Sequence, residues 1–262
     1  MRLAALALIP LAGCDLVFKV DVPDLCRTEG PFISQAVVQG IPSEHLFDPT
    51  MRDDGLEVFF TRSIGGASFD IFVATRATTD EPFGPAAPLA FDTLRGESDA
   101  QITADGLSLF FLTDNALFLA TRTRRDVPFT TADSRPDVDP GAGGINGYDI
   151  SADGLTIYLS EGDDLLVARR PSPVSAFGPT SRIGPHMDFP SISHDELELF
   201  FQNVLDGMIY RVTRASRDAQ FDGAPEAVFP GEDPEITDDG GQLLFSPPSG
   251  IGLAIAQRNC ED

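Results

Sequence analysis

The chain has 262 residues, with 41 Asp and Glu against 18 Lys and Arg, and a formal net charge of −23. That balance excludes nucleic acid, whose phosphates need clustered Lys and Arg, and excludes docking on anionic lipid headgroups. The length allows one or two domains with a substantial core, and the acidic surface favours a soluble monomer.

The first segment is a targeting signal. Arg2 supplies a positive charge, and Leu3 to Leu11 is an apolar run broken by Pro10. The run is too short to span a bilayer and reads as a secretory signal peptide over residues 1–13. Its exit, Leu11-Ala12-Gly13-Cys14, resembles the bacterial lipoprotein lipobox. The resemblance implies cleavage before Cys14, acylation of its thiol, and a lipid anchor at the bacterial cell envelope, in the outer membrane, the periplasm or at the cell surface. An ordinary signal peptide with an incidental Cys is the alternative. Residues 14–30 then form the lipidated Cys and a tether.

After Pro31, Phe32-Ile33-Ser34-Gln35-Ala36-Val37-Val38 reads as a strand, and the remaining chain is repetitive. Ser151-Ala152-Asp153-Gly154-Leu155-Thr156-Ile157-Tyr158-Leu159-Ser160 shows the unit most plainly. Its anchoring aspartates, Asp54, Asp105, Asp153, Asp195 and Asp239, recur at intervals of 51, 48, 42 and 44 residues. Asp-Gly makes a tight turn, since Gly accepts positive φ and Asp bonds its own backbone. The alternating apolar residues that follow, such as Leu107, Leu109 and Phe111, predict a half-buried strand. A second apolar run comes next, as in Asp70-Ile71-Phe72-Val73-Ala74-Thr75-Arg76, and then a Phe-Gly-Pro signal opens a weaker strand at Phe83 and Phe177. Five copies of about 40–50 residues, four strands each, predict an all-β five-bladed β-propeller of four-stranded antiparallel blades over residues 31–262. Blade four carries Glu196 where the turn expects Gly, and Arg76, Arg122, Arg169, Arg214 and Arg258 are expected to end the third strands.

The Ser/Thr-x-Asp-Gly-Leu-x-Leu-Phe-Phe pattern, followed by Asp-Ile-Phe-Val-Ala-Thr-Arg, resembles the WD-like repeats of TolB-type bacterial propellers over residues 45–258. The chain has no Trp, so neither the Trp-Asp dipeptide of true WD repeats nor a sialidase Asp-box is present.

The last repeat stops at Arg258 after its third strand, so the strand led by Phe32 is expected to complete blade five and close the ring. With Cys14 acylated, Cys26 and Cys260 remain, and both fall where a third strand passes into a fourth. A disulfide there replaces the missing chain continuity, and two free thiols are the alternative.

The loops that open the blades carry Asp48, Asp99, Asp149, Asp188 and Asp233. Asp48, Asp99 and Asp233 each precede the turn aspartate by six positions, and the other two lie nearby. The resemblance implies that ligands meet this face near the central channel. A ring of carboxylates focuses negative potential there and suits a hydrated cation or a basic partner segment. The alternative is that these acids start strands and bond backbone amides. The Asp133–Gly144 insertion, with Asp137 and Asp139, has the oxygen ligands calcium prefers but not the EF-hand spacing. No other cofactor is implied. His45 and His186 fall in opening loops, and His194 in the blade-four turn. No Gly-x-Ser-x-Gly elbow, His-Glu-x-x-His or Cys-x-x-Cys appears, so no catalytic residues are assigned. The expected function is a non-catalytic protein-binding or scaffolding propeller with a protein or peptide partner in the envelope. The alternative is a carbohydrate-active enzyme that uses two axial carboxylates.

Overall fold

The computed structural model describes residues 30–65, 68–89, 96–129, 131–134, 138, 144–173 and 175–258. Cys14, Cys26 and Cys260 lie outside the described residues, as do Asp137 and Asp139.

After β1 (Phe32–Val37) come four continuous blades. Blade one is β2 (Leu46–Met51), β3 (Glu57–Gly65), β4 (Ser68–Thr75) and β5 (Ala87–Pro88). Blade two is β6 (Glu97–Ile102), β7 (Ser108–Thr113), β8 (Ala116–Thr121) and β9 (Thr131–Ser134). Blade three is β10 (Gly147–Ile150), β11 (Thr156–Glu161), β12 (Asp164–Arg169) and β13 (Ser181–Pro185). Blade four is β14 (Asp188–Ile192), β15 (Glu198–Asn203), β16 (Met208–Thr213) and β17 (Glu226–Pro230). Blade five has β18 (Glu232–Ile236), β19 (Gln242–Ser246) and β20 (Ala254–Arg258), and β1 pairs antiparallel with β20 to complete it. The five-bladed propeller and its closure by the leading strand are as expected from the repeat. The first strands of neighbouring blades contact one another around the ring, so they line the axis.

Each Asp-Gly turn is built the same way. In blade three, Ser151 Oγ donates to Asp153 Oδ1 at 2.8 Å, and the same oxygen accepts the Leu155 N–H at 3.0 Å. Gly154 takes φ 68°, and its N–H reaches the Ser151 carbonyl at 2.7 Å. Glu196 holds this position in blade four with φ 58° and the same 2.7 Å backbone bond to Ser193. That conformation is strained for a residue with a Cβ. Its side chain compensates: the buried carboxylate accepts from the Tyr158 hydroxyl at 3.1 Å and from Arg214 at 3.2 Å, linking blades three and four.

The second strands are buried on both faces rather than one. Phe59 packs with Leu109 and Phe111 of blade two, while Phe60 packs with Leu244 and Leu253 of blade five. Phe200 and Phe201 divide in the same way between blades five and three. A blade stacked between two others has no solvent side, so β7 is buried at every residue. The Phe-Phe pairs of the repeat therefore supply a side chain to each interface.

A further repeated contact fixes the outer strands. Arg76, Arg122, Arg170 and Arg214 each donate Nε to the carbonyl of the turn residue, at 2.6–2.7 Å. Each guanidinium also lies 4.4–4.6 Å from the ring centre of the Phe seven residues on: Phe83, Phe129, Phe177 and Phe221. The blade-three member is Arg170, not Arg169, whose side chain donates instead to the Arg217 carbonyl. Blade five repeats the contact across the chain ends, with Arg258 4.7 Å from the ring of Phe32.

Candidate functional site: the axial channel

The position six residues before each turn aspartate is held by Asp48, Asp99, Gly147, Phe189 and Asp233. Four of these, all but Gly147, are left-handed, with φ between 46° and 54°. Each sits at a bulge where the first strand slips register against the second. A bulge re-aims a side chain, and here the aspartates turn toward the next blade. The Asp48 N–H donates to Asp233 Oδ2 at 3.3 Å, the Asp99 N–H to Asp48 Oδ2 at 3.1 Å, and the Tyr148 N–H to Asp99 Oδ2 at 3.2 Å. Asp149 accepts the Ile192 N–H at 2.7 Å, and Ser191 Oγ accepts the Ile236 N–H at 2.9 Å. These five bonds run once round the ring, one across each inter-blade junction.

Burial dominates the titration of these groups. It pushes Asp99, Asp149 and Asp233 well above the usual carboxylate range, reinforced by Asp48 for Asp99 and Asp233 and by Glu235 for Asp149. Asp48 and Asp188 are raised for the same reason. Asp188 stands apart from the ring of inter-blade bonds, and its Oδ1 caps its own neighbour, the Phe189 N–H, at 3.1 Å. The structure thus places all five sequence-selected acids along the first strands, with Asp48, Asp99, Asp149 and Asp233 as inter-blade clamps.

A second layer lies four residues before the turn aspartates, and of its members only Asp149 was selected from sequence. It comprises Thr50, Gln101, Asp149, Ser191 and Glu235. Glu235 lies at its centre and accepts from Thr50 at 3.1 Å, Gln101 at 3.2 Å and Ser191 at 3.1 Å, from three other blades. Burial raises its pKa from 4.5 to about 7. Glu235 precedes Asp239 by four, as Asp149 precedes Asp153, so aligning all five repeats at that position exposes it.

The histidines do not form a metal centre. His45 Nε2 lies 3.7 Å from Glu232, and its ring packs against Phe47. The His186 N–H bonds the Asp163 carbonyl. Among the described residues, no group of three His, Cys, Asp or Glu side chains is arranged to hold a metal ion. One cavity of about 70 Å³ lies on the turn side of the channel, where Asp149, Glu235, His194 and Asp238 meet.

No protein-family model and no curated protein matches the chain. Solved structures do. An α-L-arabinofuranosidase from Podospora anserina, solved with cellotriose, is 13% identical with a TM-score of 0.65, covering 89% of this chain and 99% of that one. The catalytic domain of a GH62 α-L-arabinofuranosidase from Coprinopsis cinerea is 11% identical with a TM-score of 0.65, covering 88% and 98%. TolB from Acinetobacter baumannii is 10% identical with a TM-score of 0.50; the match covers 84% of this chain and 56% of TolB. At these identities the likeness is one of fold, and the chain is a five-bladed propeller with both arabinofuranosidase and TolB structural neighbours.

Proposed function

We propose that the protein is a non-catalytic binding propeller, tethered through Cys14 to a bacterial envelope, that engages a protein segment bearing basic residues. The observation that carries this reading is the use of the axial carboxylates. Asp48, Asp99, Asp149 and Asp233 each accept a backbone amide of the next blade, which uses them as fasteners of the ring, and of the four only Asp149 also lines the turn-side cavity. The loop face gives the partner a surface. Ile64, Leu205 and Ile251 stand 52%, 72% and 53% exposed at the joining loops of the consecutive blades one, four and five. Acidic Asp206 and Glu232 lie on or beside the same loops, and Glu44 lies there paired with Arg62 at 2.7 Å. Apolar contacts ringed by acids suit a segment that mixes basic and apolar side chains.

Glycoside hydrolysis is the second reading, favoured by one observation: burial raises Asp99 and Asp149 well above the usual carboxylate range, the direction a general acid needs. Against it, Asp99 is 6% exposed, and the cavity of about 70 Å³ is too small for a sugar ring with its neighbours. Capture from envelope extract with the wild type and with Leu205→Asp, beside an aryl-glycoside panel, tests the two readings. A partner lost with Leu205→Asp and no hydrolysis are expected. Turnover abolished by Asp149→Asn would overturn the reading. Cys14→Ser is expected to move the protein from the membrane to the soluble fraction.

A further inference from the structure

The cavity on the turn side of the channel is separate from the loop face and is used by nothing described so far. Asp149 and Glu235 reach it from the second axial layer, four residues before the turn aspartates. Ile102, Ile150, Ile192 and Ile236, one residue further along each strand, line it next. His194 and Asp238, each one residue before a turn aspartate, line it nearest the mouth. From mouth to deepest layer is three residues of strand, about 10 Å at the usual rise. The site is therefore a small cavity of mixed polar and apolar lining, with carboxylates at its inner end and at its mouth and an imidazole near the mouth.

Two further observations point to an occupant. The His194 side chain is 4% exposed, yet neither ring nitrogen has a hydrogen-bond partner, and Nδ1 lies 3.8 Å from Asp238 Oδ1. A buried polar group left unbonded is costly unless something else satisfies it. In addition, no Lys or Arg lines the cavity, although Asp149, Glu235, Asp238 and Asp105 all do. Positive charge is thus missing at the place where acids converge.

We propose that this cavity binds a primary alkylammonium group, its ammonium at Asp149 and Glu235. The volume fits. At about 15 Å³ for each water-sized group, 70 Å³ holds about five such groups, the heavy-atom count of a butylammonium. An ammonium offers three donors and no acceptor, which matches a lining of carboxylates. The group arrives either as a lysine side chain of a partner or as a free alkyl diamine.

Ionisation of Glu235 governs the affinity. Facing it are Asp99 and Asp149 from other inner strands and Asp238 from its own blade, with the buried Tyr148 hydroxyl sensing the same charges. These carboxylates disfavour its charge, and an arriving cation favours it. Binding is accordingly expected to strengthen from pH 6 to pH 8, by about tenfold for a single group titrating near 7.

The test is calorimetric titration of the full chain at pH 8 with n-butylamine, Nα-acetyl-lysine amide, its Nε-acetyl derivative, 1,5-diaminopentane and calcium chloride. The first two are expected to bind and the Nε-acetyl derivative not to. Glu235→Gln is expected to weaken binding at least tenfold. Ala104→Trp, at the mouth and away from Asp149 and Glu235, is expected to abolish it, and it serves where Glu235→Gln fails to fold. Tighter binding of the lysine amide identifies a partner side chain as the source; tighter binding of the diamine identifies a free amine. The proposal is overturned if amines do not bind, if Ala104→Trp and Glu235→Gln bind them like the wild type, or if only calcium gives a Glu235-dependent signal. Amine binding with no partner captured on the loop face would sink the proposed function and leave this site standing.

Discussion

Glu235 is a carboxyl held by three donors from three blades in a place that disfavours its charge. Its folded pKa of about 7 stands above the ordinary 4.5. An acid raised on folding binds its proton more tightly in the folded state. Its contribution is therefore complete below pH 4.5 and is lost as pH rises through 7, by up to about 3 kcal/mol. Asp99, Asp149 and Asp233 shift in the same direction. Stability is expected to fall between pH 5 and pH 8 in urea titrations, and Glu235→Gln to flatten that slope. Asp99 provides a sharper contrast. Burial already disfavours the charge on Asp99, so Asp99→Asn, which keeps a neutral acceptor for the Tyr148 amide, is expected to cost under about 1 kcal/mol at pH 7, whereas Asp99→Ala orphans that amide and costs about 1–3 kcal/mol. Equal losses for the two variants would show that the amide bond is not what Asp99 contributes.

At the scale of elements, what was legible in the sequence was whatever repeats with local physics. The Asp-Gly turns announced themselves because each turn bonds within its own few residues. The likeness of the Phe32 segment to the other outer strands was enough to assign it to blade five. The bulges were not legible, since nothing local distinguishes Asp48-Pro49 from an ordinary strand start; only the neighbouring blade gives the left-handed turn its partner. Nor was the two-sided burial of the second strands, because alternation within a strand cannot show that a third layer covers its other face. The Arg–Phe contact was hidden in blade five for a topological reason, its two residues lying at opposite ends of the chain. Phe32 also meets Phe200 and Phe229 edge-on at 5.9 and 6.2 Å. Phe32→Ala is expected to cost about 2–4 kcal/mol by chemical denaturation, through lost packing and the lost cation contact. A cost near zero would mean that β1 does not fasten the ring.

For the whole molecule, five similar units become one object because each inner strand is tied to the next by a side chain that reaches across. Open sheets expose long edges, whereas radial repetition leaves each four-stranded blade only short edges at the axis and the rim. Four of the five ties are acidic, the fifth being Ser191, so the ring gathers carboxyl groups on its axis, and burial disfavours their charge. A rigid wheel of this kind offers two distinct faces: the loop face with its exposed apolar residues and the turn face with its small acid-lined cavity. The most direct measurement is native-state amide exchange by NMR at the five bonded positions, Asp48, Asp99, Tyr148, Ile192 and Ile236. All five amides are expected to exchange at the slow rate set by global unfolding, with Tyr148 alone accelerated in Asp99→Ala. Fast exchange at these positions in the wild type, or a Tyr148 rate unmoved by Asp99→Ala, would contradict a ring fastened by its axial carboxylates.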